Sequence, residues 1–373
     1  MRHGYPPVWL SAALLALALM WRMVGAPLTG PQLEDIQTPL WQARVLLPTR
    51  VVRILRLWLP GAQEAQAQTI REEAMGEEGQ ALDRLMNGEE RQMISVYLAD
   101  EGRVAEMELE SYVCGVVAAE MPAAYHLEAL KAQAVAARTR AIWQVENGGC
   151  ALHVGADICT DSAHCQGYAT PAQCRELWGE AYTAYRDRVL EAVAATRDEL
   201  VTYGGQPITV MYHAISGGRT EAAQTVFSEA LPYLVSVESA GEEGAPGFLE
   251  DTFFTFDEMA ASLGEAFGLE LTADEVERTL AVAGYTDTGR VAAMLVGGRE
   301  VEATAFRQAL GLRSTWFTLS MDGSGVTFHQ RGYGHGVGMS QAGANSMAAD
   351  GADYRAILTH YYPGVAVEKR ETA

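Results

Sequence analysis

The stretch GVVAAEMPAAYHLEALKAQAVAARTRA, residues 115–141, constrains the chain more than any other. From Leu127 the apolar positions run Leu127, Leu130, Ala134, Ala137, Ala141 and Val145, which is helical spacing sustained over five turns. Gly148 supplies a stop signal. Just upstream, a lone carboxylate, Glu120, sits among Val116, Val117, Ala118, Ala119, Met121 and Pro122. With Pro122 following it, Glu120 is predicted in the entry turn of this helix. A helix N-terminal acid meeting the dipole is the plain account of such a residue. The chemical account is a general acid. Apolar surroundings disfavour the charged form, raise a carboxyl pKa and keep a proton available near neutrality.

The rest of the chain reads as strands and helices in irregular alternation, which predicts an α+β fold rather than a doubly wound sheet. MISVYLADEGRVAEMELESYVCGVV, residues 93–117, alternates like a hairpin turning at Asp100–Gly102. Residues 198–220 read as a hairpin running into a glycine-rich turn. Residues 252–310 hold two short helical stretches and a small β region. The last 45 residues give a strand, the glycine loop RGYGHGVG, the helix MSQAGANSMAADG and a second amphipathic segment.

Residues 1–28 contain an apolar run, Val8 to Met20, interrupted only by Ser11. A run of this length suits a signal-peptide core. Extended to Leu28 past Arg22, it can serve as an uncleaved single-pass anchor, and that is the expectation adopted here. The following Arg44, Arg50, Arg53 and Arg56 favour the opposite orientation on a positive-inside count. Even so, the bulk of the chain is expected outside the cytoplasm. Residues 29–92 read as a linker, acidic from residue 62, and 93–373 as the folded domain. The net charge of −21 argues against a nucleic-acid partner, since nothing would displace counterions from phosphates.

The five cysteines are not a disulfide framework, but four fall within residues 150–174. CALHVGADICTDSAHCQGY offers His153, Cys159, His164 and Cys165, the number and kind of ligands a closed tetrahedral metal site takes. A Cys159–Cys165 or Cys150–Cys174 disulfide and plain thiols are the competing accounts.

GYGHGVGMSQ is not a dinucleotide fingerprint. Counting from Gly334 puts Met339, and from Gly336 puts Gln341, where the third glycine belongs. His335 and Gln341 there, and His213 and Ser216 in YHAISGGRT, are candidates to line a cleft. Arg138 is a further candidate, with an ordinary ion pair as the alternative.

Most glycosidases need two carboxylates, and no second acid is framed as Glu120 is. A lytic transglycosylase needs only one, because the sugar's own 6-hydroxyl attacks and the same acid then acts as base.

YVCGVVAAEMPAAYHLEALKAQAVAARTRA, YHAISGGRTEAA, RQALGLRSTWF and GYGHGVGMSQAGANSMA, in that order, resemble the stage II sporulation protein D family over about residues 93–368. The resemblance implies a membrane-anchored peptidoglycan lytic transglycosylase with Glu120 as the catalytic acid. It would cleave between N-acetylmuramic acid and N-acetylglucosamine to leave 1,6-anhydro ends, during engulfment in sporulation. The implied substrate is glycan stripped of stem peptides, hence a partner amidase alongside other engulfment proteins. Some members bind zinc at positions matching His153, Cys159, His164 and Cys165, which implies one structural zinc per chain. Related amidase enhancers supply a non-enzymatic alternative, and an ordinary hydrolase with a second acid is a third.

Overall fold

The computed structural model describes residues 92–370. The chain opens with β1 (Met93–Leu98), β2 (Arg103–Glu108), α1 (Leu109–Glu120), α2 (Leu127–Glu146) and β3 (Ile158–Cys159). It continues through α3 (Pro171–Trp178), α4 (Tyr182–Ala195), β4 (Glu199–Tyr203), β5 (Gln206–Pro207), β6 (Tyr212–His213) and α5 (Ala223–Phe227). A second group follows: β7 (Leu249–Thr255), α6 (Phe256–Phe267), α7 (Ala273–Thr279), β8 (Ala281–Tyr285), β9 (Val291–Val296), β10 (Arg299–Glu302), α8 (Ala303–Leu310), β11 (Phe317–Asp322) and β12 (Gly325–Arg331). The chain then returns through β13 (Met339–Ser340), α9 (Gln341–Ala349), α10 (Tyr354–Tyr361) and β14 (Ala366–Lys369). Helices and small sheets are mixed throughout, an α+β architecture.

Helix α2 is the axis of the larger core. Its alanines and their neighbours from Ala129 to Arg138 are almost all buried, because α1, α4, α9, α10 and β4 pack around it. Over this stretch the helix keeps little solvent face, and alanine lets its neighbours approach closely. Leu130 lies fully inside, and truncating such a side chain costs roughly 2–5 kcal/mol.

The hairpin expected over 93–117 is shorter than its alternation suggests. It pairs Met93–Leu98 with Arg103–Glu108, and the chain is helical from Leu109. Every residue of α1 except Ser111 is buried, so this helix shows no amphipathic stripe, and its valines imitate a buried strand. Gly115 lets the Tyr168 ring lie directly on the helix, where a Cβ would overlap it. Proline disfavours the α conformation in the residue before it. Met121, before Pro122, is extended (φ −125°, ψ 136°), and α1 ends at Glu120. The acid therefore sits at a helix C-terminus, not in the entry turn of α2.

A second core, built from α6–α8 and β7–β12, lies between β6 and β13 in sequence. Parallel pairing of Tyr212–His213 with Met339–Ser340 closes the chain around that inserted segment. Arg290 pins the insertion in place by donating to the carbonyls of Ser216 (2.7 Å) and Arg219 (2.6 Å). Buried Glu221 accepts from Thr286 (2.8 Å) and Thr288 (2.5 Å).

The expectation of a single-pass membrane protein is corrected here. Among the described residues no helix is long and apolar enough to cross a membrane. The segment on which that expectation rested, 1–28, lies outside the described residues, as does the linker up to Arg91.

Candidate active site

Glu120 is 8% exposed, at the end of a helix whose C-terminal carbonyls repel a negative charge. Its Oε1 accepts the backbone N–H of Gly167 at 2.5 Å, and its carboxyl group is also bonded to the Gln341 side chain. Burial outweighs both hydrogen bonds and pushes the carboxyl pKa up from 4.5 to about 7. Near neutral pH the group therefore divides between acid and carboxylate, as a residue that must both give and take a proton requires.

Polar side chains surround the acid. Gln341, the first residue of α9, donates to Gln133 Oε1 of α2 at 3.4 Å. Gln166 accepts from the Tyr212 hydroxyl at 2.8 Å and donates to the Tyr112 hydroxyl (3.2 Å) and the Ala137 carbonyl (3.4 Å). Burial, with a contribution from the charge of Glu120, raises the pKa of both phenols, which stay neutral. Among the described residues, the groups that set the proton affinity of Glu120 are the Gly167 amide and the Gln341 side chain, with no carboxylate.

The structure divides the other candidates. Gln341 meets Glu120. Successive side chains of an extended segment point to opposite faces. With the Tyr212 ring reaching Gln166, the His213 ring faces the other way. His213 Nδ1 is 3.0 Å from the Val337 carbonyl. His335 Nδ1 accepts the Val337 N–H at 3.0 Å, and its ring is bonded to the Tyr212 backbone. The two imidazoles thus tie β6 and the glycine loop together from both sides. Burial, reinforced by nearby cationic groups, holds them neutral, His335 down to about 4. Ser216 is buried and donates to both oxygens of Glu242 at 2.9 Å.

Arg138 corrects its reading as a cleft residue. It is 1% exposed and forked onto Glu110 with two 2.7 Å bonds, and it also donates to the carbonyls of Glu199 and Val193. This is an ion pair of the core.

The metal cluster is also corrected. Cys150, Cys159, His164 and Cys165 bring their ligand atoms within 4.8 Å of one another. His164 Nδ1 lies 3.6, 3.5 and 3.2 Å from the three sulfurs of Cys150, Cys159 and Cys165. Tetrahedral zinc with its usual Zn–S and Zn–N lengths implies an S···N edge of about 3.6 Å, so the donor set fits. His153 stands outside the cluster, with its ring stacked on Tyr97 at 3.6 Å. The disulfides considered from sequence are not formed; Cys174 packs beside Ala118 and Ala119.

Sequence reasoning missed Gly167, Gln166, Tyr112 and Tyr212 around the acid, and Cys150 in the cluster. The only local signal for Gly167 is its position two residues after Cys165.

Glu120 is thus a buried carboxyl group poised near neutrality among amides and phenols on an α+β scaffold, an arrangement able to give or take a proton. The chain belongs to the stage II sporulation protein D family. The family model described as Stage II sporulation protein matches residues 97–203. Stage II sporulation protein D of Bacillus subtilis (strain 168) is 34% identical over 278 residues, 74% of this chain and 79% of that protein. Its namesake from Bacillus amyloliquefaciens is 34% identical over 279 residues, 75% of this chain and 79% of that protein. The amidase enhancer of Bacillus subtilis (strain 168) is 28% identical over 298 residues, which span 67% of this chain and 39% of that longer protein.

Proposed function

We propose that the chain is a lytic transglycosylase that cleaves peptidoglycan glycan strands between N-acetylmuramic acid and N-acetylglucosamine during sporulation. The observation that carries this reading is Glu120, one buried carboxyl group with a pKa near 7 and, among the described residues, no second acid contributing to that value. Protonated Glu120 gives its proton to the glycosidic oxygen, and the C1–O bond breaks. The 6-hydroxyl of the same muramic residue attacks C1, and the Glu120 carboxylate takes the hydroxyl proton. The acid is regenerated, water is not consumed, and the product carries a 1,6-anhydro ring. The tethered hydroxyl supplies the proximity that a second catalytic group would otherwise provide. Gly167 and Gln341 hold the carboxyl group in place.

Cys150, Cys159, His164 and Cys165 would hold one zinc with no open position, in a structural role. Glycan freed of stem peptides is the substrate, which implies an amidase acting first.

A second reading, a wall-binding enhancer of an amidase, rests on the amidase-enhancer relative. Mass spectrometry of glycan incubated with the pure chain separates the readings. Anhydro ends support transglycosylation, a reducing end indicates a hydrolase, and intact glycan leaves only the enhancer.

A further inference from the structure

Helix α2 carries two arginines two residues apart, with opposite fates. Arg138 is consumed by Glu110 and two carbonyls. Arg140, half-buried, donates among the described residues only to Thr209 Oγ1 at 3.1 Å, and lies 5.7 Å from the Trp143 ring. Among the described residues it pairs with no carboxylate, in a chain of net charge −21. A guanidinium has five donors, and a partly buried cation without a counter-ion is costly.

Its position relates it to the acid. Gln133, Ala137 and Arg140 follow one another along a single face of α2 at helical spacing. Gln133 touches Gln341, which bonds Glu120, and the Ala137 carbonyl accepts from Gln166, whose neighbour Gly167 bonds Glu120. Arg140 is the next step along that face, near enough to Tyr212 for its charge to stabilise the phenolate form of that ring.

We propose that Arg140 is a specificity-determining residue that binds an anionic substituent of the sugar beside the scissile bond: the lactyl carboxylate of a muramic residue bearing no peptide. This rests on the transglycosylase reading. A free lactyl group is a carboxylate, which a guanidinium grips with two parallel hydrogen bonds. An amide-linked peptide removes that charge, so one contact distinguishes stripped from decorated glycan. Arg140 acts on binding and takes no proton.

The test is calorimetric binding to the full chain carrying Glu120→Gln, which prevents turnover. The probes are stripped N-acetylglucosamine–N-acetylmuramic oligomers and chito-oligosaccharides of equal length, which lack the lactyl group. Arg140→Gln is expected to weaken binding of the stripped oligomer roughly ten- to hundredfold, the range for charge-assisted hydrogen bonds. Chito-oligosaccharide binding should stay unchanged, and Arg140→Lys should restore part of the loss. Equal weakening of both oligomers, or of neither, in variants with unaltered melting overturns the proposal. If the parent chain binds neither oligomer, the glycan reading itself falls, and this proposal with it.

Discussion

The Cα of Gly167 lies so close to the carboxyl group of Glu120 that a Cβ built there would sit 2.8 Å from Oε1 and 3.3 Å from Cδ. A side chain on the residue that supplies the acid's backbone donor would therefore push the carboxyl group from its place. Gly167→Ala is expected to displace the carboxylate and lengthen or break the Gly167 N–H bond. A misplacement of this scale costs on the order of 10²-fold in rate. Release of anhydro product should fall by about that factor while melting barely shifts. Turnover close to the parent rate would disprove the assignment of Gly167 as the acid's support.

Glu120→Gln removes the acidic proton but keeps the shape. Cleavage should drop by about 10²–10⁴-fold, the usual contribution of general acid–base catalysis. Substantial cleavage by the pure, folded variant would refute Glu120 as the acid.

The raised pKa of Glu120 makes stability depend on pH with a definite sign. Between 4.5 and about 7 the folded chain keeps a proton that the unfolded chain releases. Stability therefore declines as pH rises through that window, by about 3 kcal/mol in total for this one group. The Glu120→Gln variant lacks this loss, so its melting advantage over the parent should grow from pH 4.5 to pH 8. Parallel melting curves across that range would show that Glu120 titrates normally. The acid step needs the protonated form, so turnover should also decline above pH 7.

Two substitutions distinguish the cluster in the structure from the one the spacing suggests. Cys150→Ala should lower zinc content and thermal stability together, because losing a ligand removes binding free energy that contributes to folding. His153→Ala should leave zinc at one per chain and remove only its stacking on Tyr97. Elemental analysis showing the reverse pattern would restore His153 as the ligand.

Arg138→Gln leaves Glu110 as a buried, uncompensated charge, a change that costs roughly 3–5 kcal/mol. Urea unfolding should show this loss. A variant with undiminished stability but a raised KM would return Arg138 to the substrate.

Much of this architecture is legible in the chain because the relevant forces are local. The five-turn spacing marks α2, Pro122 marks a boundary, and apolar neighbours mark Glu120 as an acid with a raised pKa. Helix α1 is hidden because burial on every side erases the period that distinguishes helix from strand. The surroundings of the acid are hidden for another reason. Gln166 meets Tyr212 across 46 residues, and Gln341 meets Gln133 across 208, so no window of sequence contains either pair. Cys150 escapes because His153 lies nearer to the other ligands in sequence but turns to Tyr97 in space.

Cys165, Gln166 and Gly167 are consecutive, so the loop that can hold a metal ion at one end holds the Glu120 carboxyl group at the other. If zinc occupies the four ligands, a chelator would slacken that loop and withdraw the Gly167 donor from Glu120. Turnover would then vanish on chelation and return on adding metal, although the ion takes no part in bond breaking. By the usual inhibition criterion the protein would pass for a metalloenzyme. Oxidation of the thiols would have the same outcome, so glycan cleavage would report on the redox state of its surroundings.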